Sequence, residues 1–317
     1  MIAAQAATDV GGQLLIVSVL VGAVRSGTSI FYAALGETIS ERAGVINVGT
    51  EGCMLAGAMS AYAVTAETGN PWFGVLGAAA VGGALALLHA YLVIARGANQ
   101  LANGLVIMFL GLGLTSLFGA SYVSREINGF KPYAIPGLSS IPAVGDILFN
   151  HDPLTYLSFA LGPAVWFLLF RTRWGLLLRG AGERAPVLSS YGYSPERIRY
   201  IAVGLGGLLA GIGGAQLSTA VALTWFENMT QGRGFIAVAL VIFASWHPLW
   251  AMGGAYLFGA ALALGPELQV RNVGVNQFVL DALPYVMTLA VLVVLAKRSF
   301  QRAPEGLAEV FDAPPVS

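Results

Sequence analysis

Long apolar blocks alternate with short polar punctuation along almost the whole chain. A helix needs about 20 predominantly apolar residues to cross a bilayer. The pattern predicts such helices within Leu14–Gly36, Gly44–Ala66, Thr68–Ala95, Gly97–Ser121, Pro153–Phe170 and Tyr200–Phe226. Gly234–Pro266 carries no charge but is broken at His247-Pro248, which fits two short helices or a re-entrant pair better than two full crossings. Discontinuous helices of this kind border transport pathways. A last span falls within Phe278–Ala296, closed by Lys297 and Arg298. Between the fourth and fifth blocks, Tyr122–Asp152 contains Pro132, Pro136 and Pro142 and reads as an extended loop with a short surface helix.

The polar stretch Arg171–Arg199 interrupts this pattern most strongly. It holds Arg171, Arg173, Arg179, Arg184, Arg197 and Arg199 against only Glu183 and Glu196. Loops rich in arginine beside membrane spans stay on the cytoplasmic side. Placing it inside puts eleven basic residues on the inner side and four outside, with Arg25 left within the first span. That orientation implies about nine spans (8–10) and an outer N-terminus. Gly180, Gly182, Pro186, Gly192 and Pro195 punctuate the stretch, so a short helix framed by turns is expected there. A compact cytoplasmic element on a buried protein reads as a docking surface.

Composition agrees with this picture. Of 317 residues, 56% are apolar and 10% charged, where a soluble domain carries about 25% charged residues. The expectation is an all-α polytopic membrane protein: one transmembrane domain over 1–317, with 171–199 as a cytoplasmic loop and 303–317 as a flexible tail. No cleavable signal peptide is evident, because Met1–Gly12 lacks a basic segment. Cys53 is the only cysteine, which excludes an internal disulfide and a multi-cysteine metal site. Lys131 and Lys297 are the only lysines, and there is no Gly-x-x-x-x-Gly-Lys run, so ATP is not bound in that way. Neither a His-Glu-x-x-His pair nor a Gly-x-Ser-x-Gly elbow is present. No catalytic residue, metal or cofactor is expected.

The remaining polar residues inside spans are candidates for a solute path. Asn47 and Glu51 are four apart and would share a face if helical, and a carboxylate at that depth must find a partner or face water. The alternative is that Glu51 pairs with an arginine or caps another helix. Asn99 and Asn103, again four apart, offer amides that both donate and accept, as a solute site or as hydrogen bonds between helices. His89 and His247 stand alone and read as structural. Asp281 is placed near the outer interface, and Trp225 and Phe226 read as an aromatic belt.

The run Gly-Glu-x-x-x-Glu-Arg-Ala-Gly-Val-x-Asn-x-Gly-x-Glu-Gly at Gly36–Gly52 resembles the permease subunits of ABC importers in the ribose and branched-chain amino-acid permease superfamily, nearest its nucleoside and simple-sugar branch. Three further blocks resemble the same family in order: Arg171–Glu183 with Ser190-Tyr191-Gly192, Gly234–Phe243 with Trp246-His247-Pro248, and Leu283-Pro284-Tyr285. The chain departs from that pattern at Ala185-Pro186 and Ala244-Ser245. The resemblance implies an inner-membrane permease without enzymatic activity of its own. It also implies a cytoplasmic tandem ATPase, a second permease subunit forming a heterodimer, and an extracytoplasmic substrate-binding lipoprotein. The lipid bilayer surrounds it, and no nucleic-acid partner is expected. Arg179, Gly182, Glu183, Pro186 and Gly192 are the implied coupling residues, with Gly182 letting the backbone approach the ATPase and Arg179 and Glu183 pairing with charges there. The rival classes are an ion-coupled secondary carrier, with Glu51 as its proton site, and a membrane scaffold without transport.

Overall fold

A computed structural model of the chain describes residues 2–123, 125–271, 276, 278–280, 282–283, 286–287, 290 and 303–307, with side chains from residue 15 onward. The long helices are α1 (Ile2–Arg42), α2 (Thr50–Thr68), α3 (Pro71–Ala90) and α4 (Gln100–Gly119). After a loop come α5 (Val144–Leu148) and α6 (Pro153–Arg171), then the short pair α7 (Arg173–Glu183) and α8 (Ala185–Ser190). The chain continues through α9 (Pro195–Gln216), α10 (Arg233–Phe243) and α11 (Pro248–Val270). Two-residue strands, β1 (Tyr133–Ala134) and β2 (Asn150–His151), pair antiparallel in the loop before α6.

Among the described residues, six helices are long and apolar enough to cross a membrane: Leu15–Arg42, Pro71–Ala95, Gln100–Tyr122, Pro153–Arg171, Pro195–Ala222 and Pro248–Val270. α9 lies at the centre and packs on α1, α2 and α3. Small residues make this possible. A Cβ added at Gly36 would stand 2.3 Å from the Gly206 carbonyl oxygen, so here the two backbones themselves touch. Local signals start the helices as expected. Asn70, Asp152, Thr172 and Ser194 accept from backbone N–H groups at the starts of α3, α6, α7 and α9.

Several expected boundaries move. α1 does not end at Gly36 in a polar turn; Glu37, Glu41 and Arg42 belong to its last turns and are buried. No glycine or proline breaks the helix until Gly44, whose φ of 86° turns the chain. The next helix starts at Thr50 rather than Gly44, because its would-be backbone donors are taken by other elements: Ile46 N–H by Gln100 Oε1 and Asn47 N–H by Glu37 Oε1. Gly234–Pro266 breaks at 244–247 as the sequence suggests, but only the first half is short. α11 runs 23 residues, with Pro248 at its start and Pro266 inside it. Trp225 is buried on Gly119 rather than standing in a belt, while Phe226 is exposed. The end of the chain is not all loose tail: Pro304 and Leu307 are buried, and Gly306 lies on the Gly182 carbonyl. Residues 308–317, Asp281 and most of Phe278–Ala296 lie outside the described residues.

Candidate translocation and coupling site

Two groups of candidate residues are organised around α10, an eleven-residue helix too short to cross a bilayer. Before it, the stretch Leu223–Gly232 contains Leu223, Asn228 and Gln231 in the left-handed region (φ 55°, 56° and 49°); after it, Ser245 and Trp246 are left-handed too (φ 50° and 54°). Among the described residues these are five of six non-glycine residues with such backbone. Each conformation of this type costs about 1–3 kcal/mol and persists only where the surroundings enforce it.

Glu51 enforces the first. Its Oε1 accepts from Thr230 Oγ1 at 2.6 Å and Gly232 N–H at 2.9 Å, and its Oε2 accepts from Gly234 N–H at 2.6 Å. The carboxylate thus sits at the N-terminus of α10, where the helix dipole favours negative charge. It is 4% exposed. Asn47 does not share a helix face with it. Asn47 lies in the extended segment before α2, its N–H donating to Glu37 and its Oδ1 accepting from Gly49 N–H at 3.0 Å. Glu37 also accepts from Thr50 Oγ1 at 2.9 Å, so a buried carboxylate of α1 shapes the entry to α2.

Asn99 and Asn103 are likewise separated. Asn99 is exposed and caps α4 by accepting from Ala102 N–H. Asn103 is buried, and its Nδ2 lies 2.9 Å from His89 Nδ1, while His89 Nε2 lies 3.0 Å from the Ile46 carbonyl. One neutral tautomer satisfies both bonds: Nε2–H donates to Ile46 and Nδ1 accepts from Asn103. Helices α3 and α4 are thereby tied to the segment that precedes Glu51.

The other end of α10 is held by the end of α1. Arg42 donates to the carbonyls of Trp246 (3.2 Å) and Ser245 (3.3 Å), and the Trp246 indole N–H donates to Glu41 Oε2. Arg42 and Arg179 both stand over the Phe170 ring, at 5.5 and 5.4 Å, and His247 stacks on it. Burial, with the Arg42 charge beside it, holds the His247 imidazole below its usual range. Arg179 is therefore already engaged inside the molecule.

Gly182 completes the connection. It is buried, and a Cβ there would stand 2.3 Å from the Arg42 carbonyl oxygen and 3.0 Å from Gly44 N. Its close approach is to this chain's own α1–α2 turn, which the sequence reading had assigned to an outside partner. Arg199 locks the same junction, donating to the carbonyls of Ala43 (3.2 Å) and Ala181 (3.0 Å). Glu183 and Pro186 are exposed, and Gly192 (φ 82°) makes the turn after α8. Val187, Tyr191 and Tyr193 expose apolar surface beside them. A groove of about 450 Å³ opens here, lined among others by Glu183, Pro186, Arg199 and Glu305. The Glu41–Trp246 bond and the arginine-to-carbonyl clamp have no local sequence signature, since their partners lie about two hundred residues apart; the break at His247-Pro248 was the available signal.

Residues 19–296 match the family described as the branched-chain amino acid transport system / permease component. The putative glucose ABC transporter permease protein TsgC13 of Haloferax volcanii is 40% identical over 291 residues, covering 85% of this chain and 88% of that protein. The guanosine ABC transporter permease protein NupQ of Bacillus subtilis is 35% identical, covering 83% and 87%. The nucleoside ABC transporter permease protein NupC of Lactococcus lactis is 30% identical, covering 88% and 92%. The chain belongs to this permease family, as a multi-pass inner-membrane transport component of the ABC class rather than an enzyme.

Proposed function

We propose that this chain forms one half of the membrane domain of an ATP-driven importer, carrying nucleosides, or failing that simple sugars, from the outer side to the cytoplasm. A tandem ATPase docks on α7–α8, a second permease subunit pairs with the chain as a heterodimer, and an extracytoplasmic lipoprotein delivers the solute. The single observation that carries this reading is the contact of Gly182 with Arg42 and Gly44. It links an exposed cytoplasmic helix pair to the linker of a half-membrane helix, the arrangement needed for a push in the cytoplasm to move a gate in the membrane. Glu183, Pro186 and Gly192 then present the docking face, while Arg179 and Gly182 pass the motion inward. Asn47, Glu51 and Asn103 shape the path by fixing the backbone around it, and Asn99 by starting α4.

The test is uptake of radiolabelled guanosine and glucose by proteoliposomes holding this chain with its genomic neighbours. The ATPase is supplied either active or without its hydrolytic glutamate. Uptake only with the active ATPase and trapped ATP is the expected result. Uptake that survives the dead ATPase and collapses with an ionophore would instead make the chain an ion-coupled carrier.

A further inference from the structure

We infer that the linker Phe226–Phe235, on the side turned away from Glu51, is the solute-recognition site, and that it reads a purine-type base through Asn228, Gln231 and Arg233 with Phe235 as a stacking ring. This inference rests on the importer reading above and names the substrate class within it.

The first support is depth. Gly52, the residue after Glu51, lies against the middle of α4: its added Cβ would stand 2.7 Å from Met108 Cα, and that of Gly111 2.8 Å from Gly52 Cα. The span Gln100–Tyr122 is centred there. Thr230 and Gly232 bond directly to Glu51, so Gln231 between them lies at the midplane. Gln231 is exposed there, and its side chain makes no hydrogen bond among the described residues. Asn228 is exposed and equally free. Unpaired amides and non-helical backbone at this depth are tolerated only where they line a water-filled cavity or a protein surface, never against lipid.

The second support is the backbone. Gln231 has no intrinsic reason to be left-handed, yet it is held so between two residues bonded to Glu51. The strain fixes the direction of its Cα–Cβ bond before any solute arrives, which lowers the backbone part of the ordering cost of binding. Arg233, one turn away, donates from Nη1 to the Met229 carbonyl, while its buried Nε has no partner among the described residues. Phe226 and Phe235, each 39% exposed, bound these groups in sequence, and the Phe235 ring lies beside Gly232. Glutamine and asparagine amides match the adenine edge and an arginine fork matches the guanine edge, while aromatic faces stack on any base. A simple sugar uses neither the ring nor the planar edge.

The assembled importer tests this in proteoliposomes, with Gln231→Cys introduced into this chain. Cys53 is fully buried and is the only native cysteine of the chain, so it leaves a blank background. A membrane-impermeant maleimide added from outside should label the new cysteine, and guanosine or adenosine, but not glucose, should slow labelling several-fold. In a second variant, Gln231→Ala should raise the KM for guanosine uptake roughly ten-fold with little change in maximal rate, in line with loss of one base-edge contact. No labelling, labelling indifferent to nucleosides, protection by glucose alone, or an unchanged KM would each overturn the assignment. Absence of ATP-dependent uptake by the unaltered complex would instead sink the importer reading, and it is scored separately in the same vesicles.

Discussion

At its N-terminal end α10 meets a carboxylate that accepts from three donors of its own linker, whereas at its C-terminal end it meets an arginine that donates to two carbonyls of the other linker. Both charges have the sign that the helix dipole favours at their end. The bonds differ in quality: those to Glu51 are 2.6–2.9 Å, while those from Arg42 are 3.2–3.3 Å. Their supports differ as well. Glu51 stands on α2, packed against the middle of α4, and Arg42 stands at the tip of α1, in direct contact with Gly182 of α7. One end is therefore anchored to the frame and the other to the element on which an ATPase would act. On the coupling proposed above, the half-helix would hinge at its anchored end and be driven at the other.

The comparison breaks most clearly at two glycines. Gly234→Val would push a side chain to within 2.5 Å of the Glu51 Cα; it should lower the melting temperature in detergent and abolish uptake together. Gly182→Leu, at the driven end, should abolish uptake while the protein still inserts and pairs. Normal uptake by that variant would remove the coupling role.

Glu51→Ala comes next. It strands one hydroxyl and two backbone N–H donors, each worth about 1–3 kcal/mol when buried without a partner, so chemical unfolding should show a loss of at least about 3 kcal/mol. Glu51→Gln keeps an acceptor oxygen and should lose less. A retained pH-independent uptake in Glu51→Gln would also remove the basis for a proton-coupled carrier, since the amide cannot titrate. Identical stability for the alanine variant and the parent would show that this end is not pinned.

Trp246→Phe is smaller. It removes one indole donor from Glu41, whose Oε1 already has no hydrogen-bond partner among the described residues. The expected loss is about 1–3 kcal/mol, with the uptake rate falling more than stability. The smallest effect belongs to Glu305→Ala. Its pairing with Arg184 is 3.8 Å long between exposed side chains, and such pairs contribute little, so neither uptake nor melting should move measurably. A large change there would place the working contact in the groove rather than at Gly182.

Much of the frame was legible in the sequence because hydropathy and breakers act locally. The interruption at 244–247 is carried by His247-Pro248, and the short helix α8 by the glycine and proline punctuation around it, although α7 before it was not expected as a separate helix. The site was less legible, and for one physical reason. A window of hydropathy treats an acidic residue as an exit from the membrane, so Glu37 and Glu41 were expected to end the first span. In the fold they remain inside because Asn47, Thr50 and Trp246 supply donors. Spacing misled in the same way at Asn47 and Glu51. Four residues apart means one face only on a helix, and the segment before Thr50 has given its backbone donors to other elements. That Glu51 meets Thr230, 179 positions further along the chain, is a tertiary fact with no local signature.

The seating of Pro304–Leu307 has a consequence for how the molecule is held together. The junction that joins α7 to the α1–α2 turn is built from Arg42, Gly44, Gly182, Arg199 and Gly306, residues far apart in the chain. Its contact with Gly306 is supplied by a segment that follows all the helices α1 to α11 in the chain. Removing residues 304–307 would leave α7 and the α1–α2 turn in place yet strip Gly306 from the Gly182 carbonyl. The junction is thus a clasp closed from separate stretches of the chain, and losing any one of them opens it.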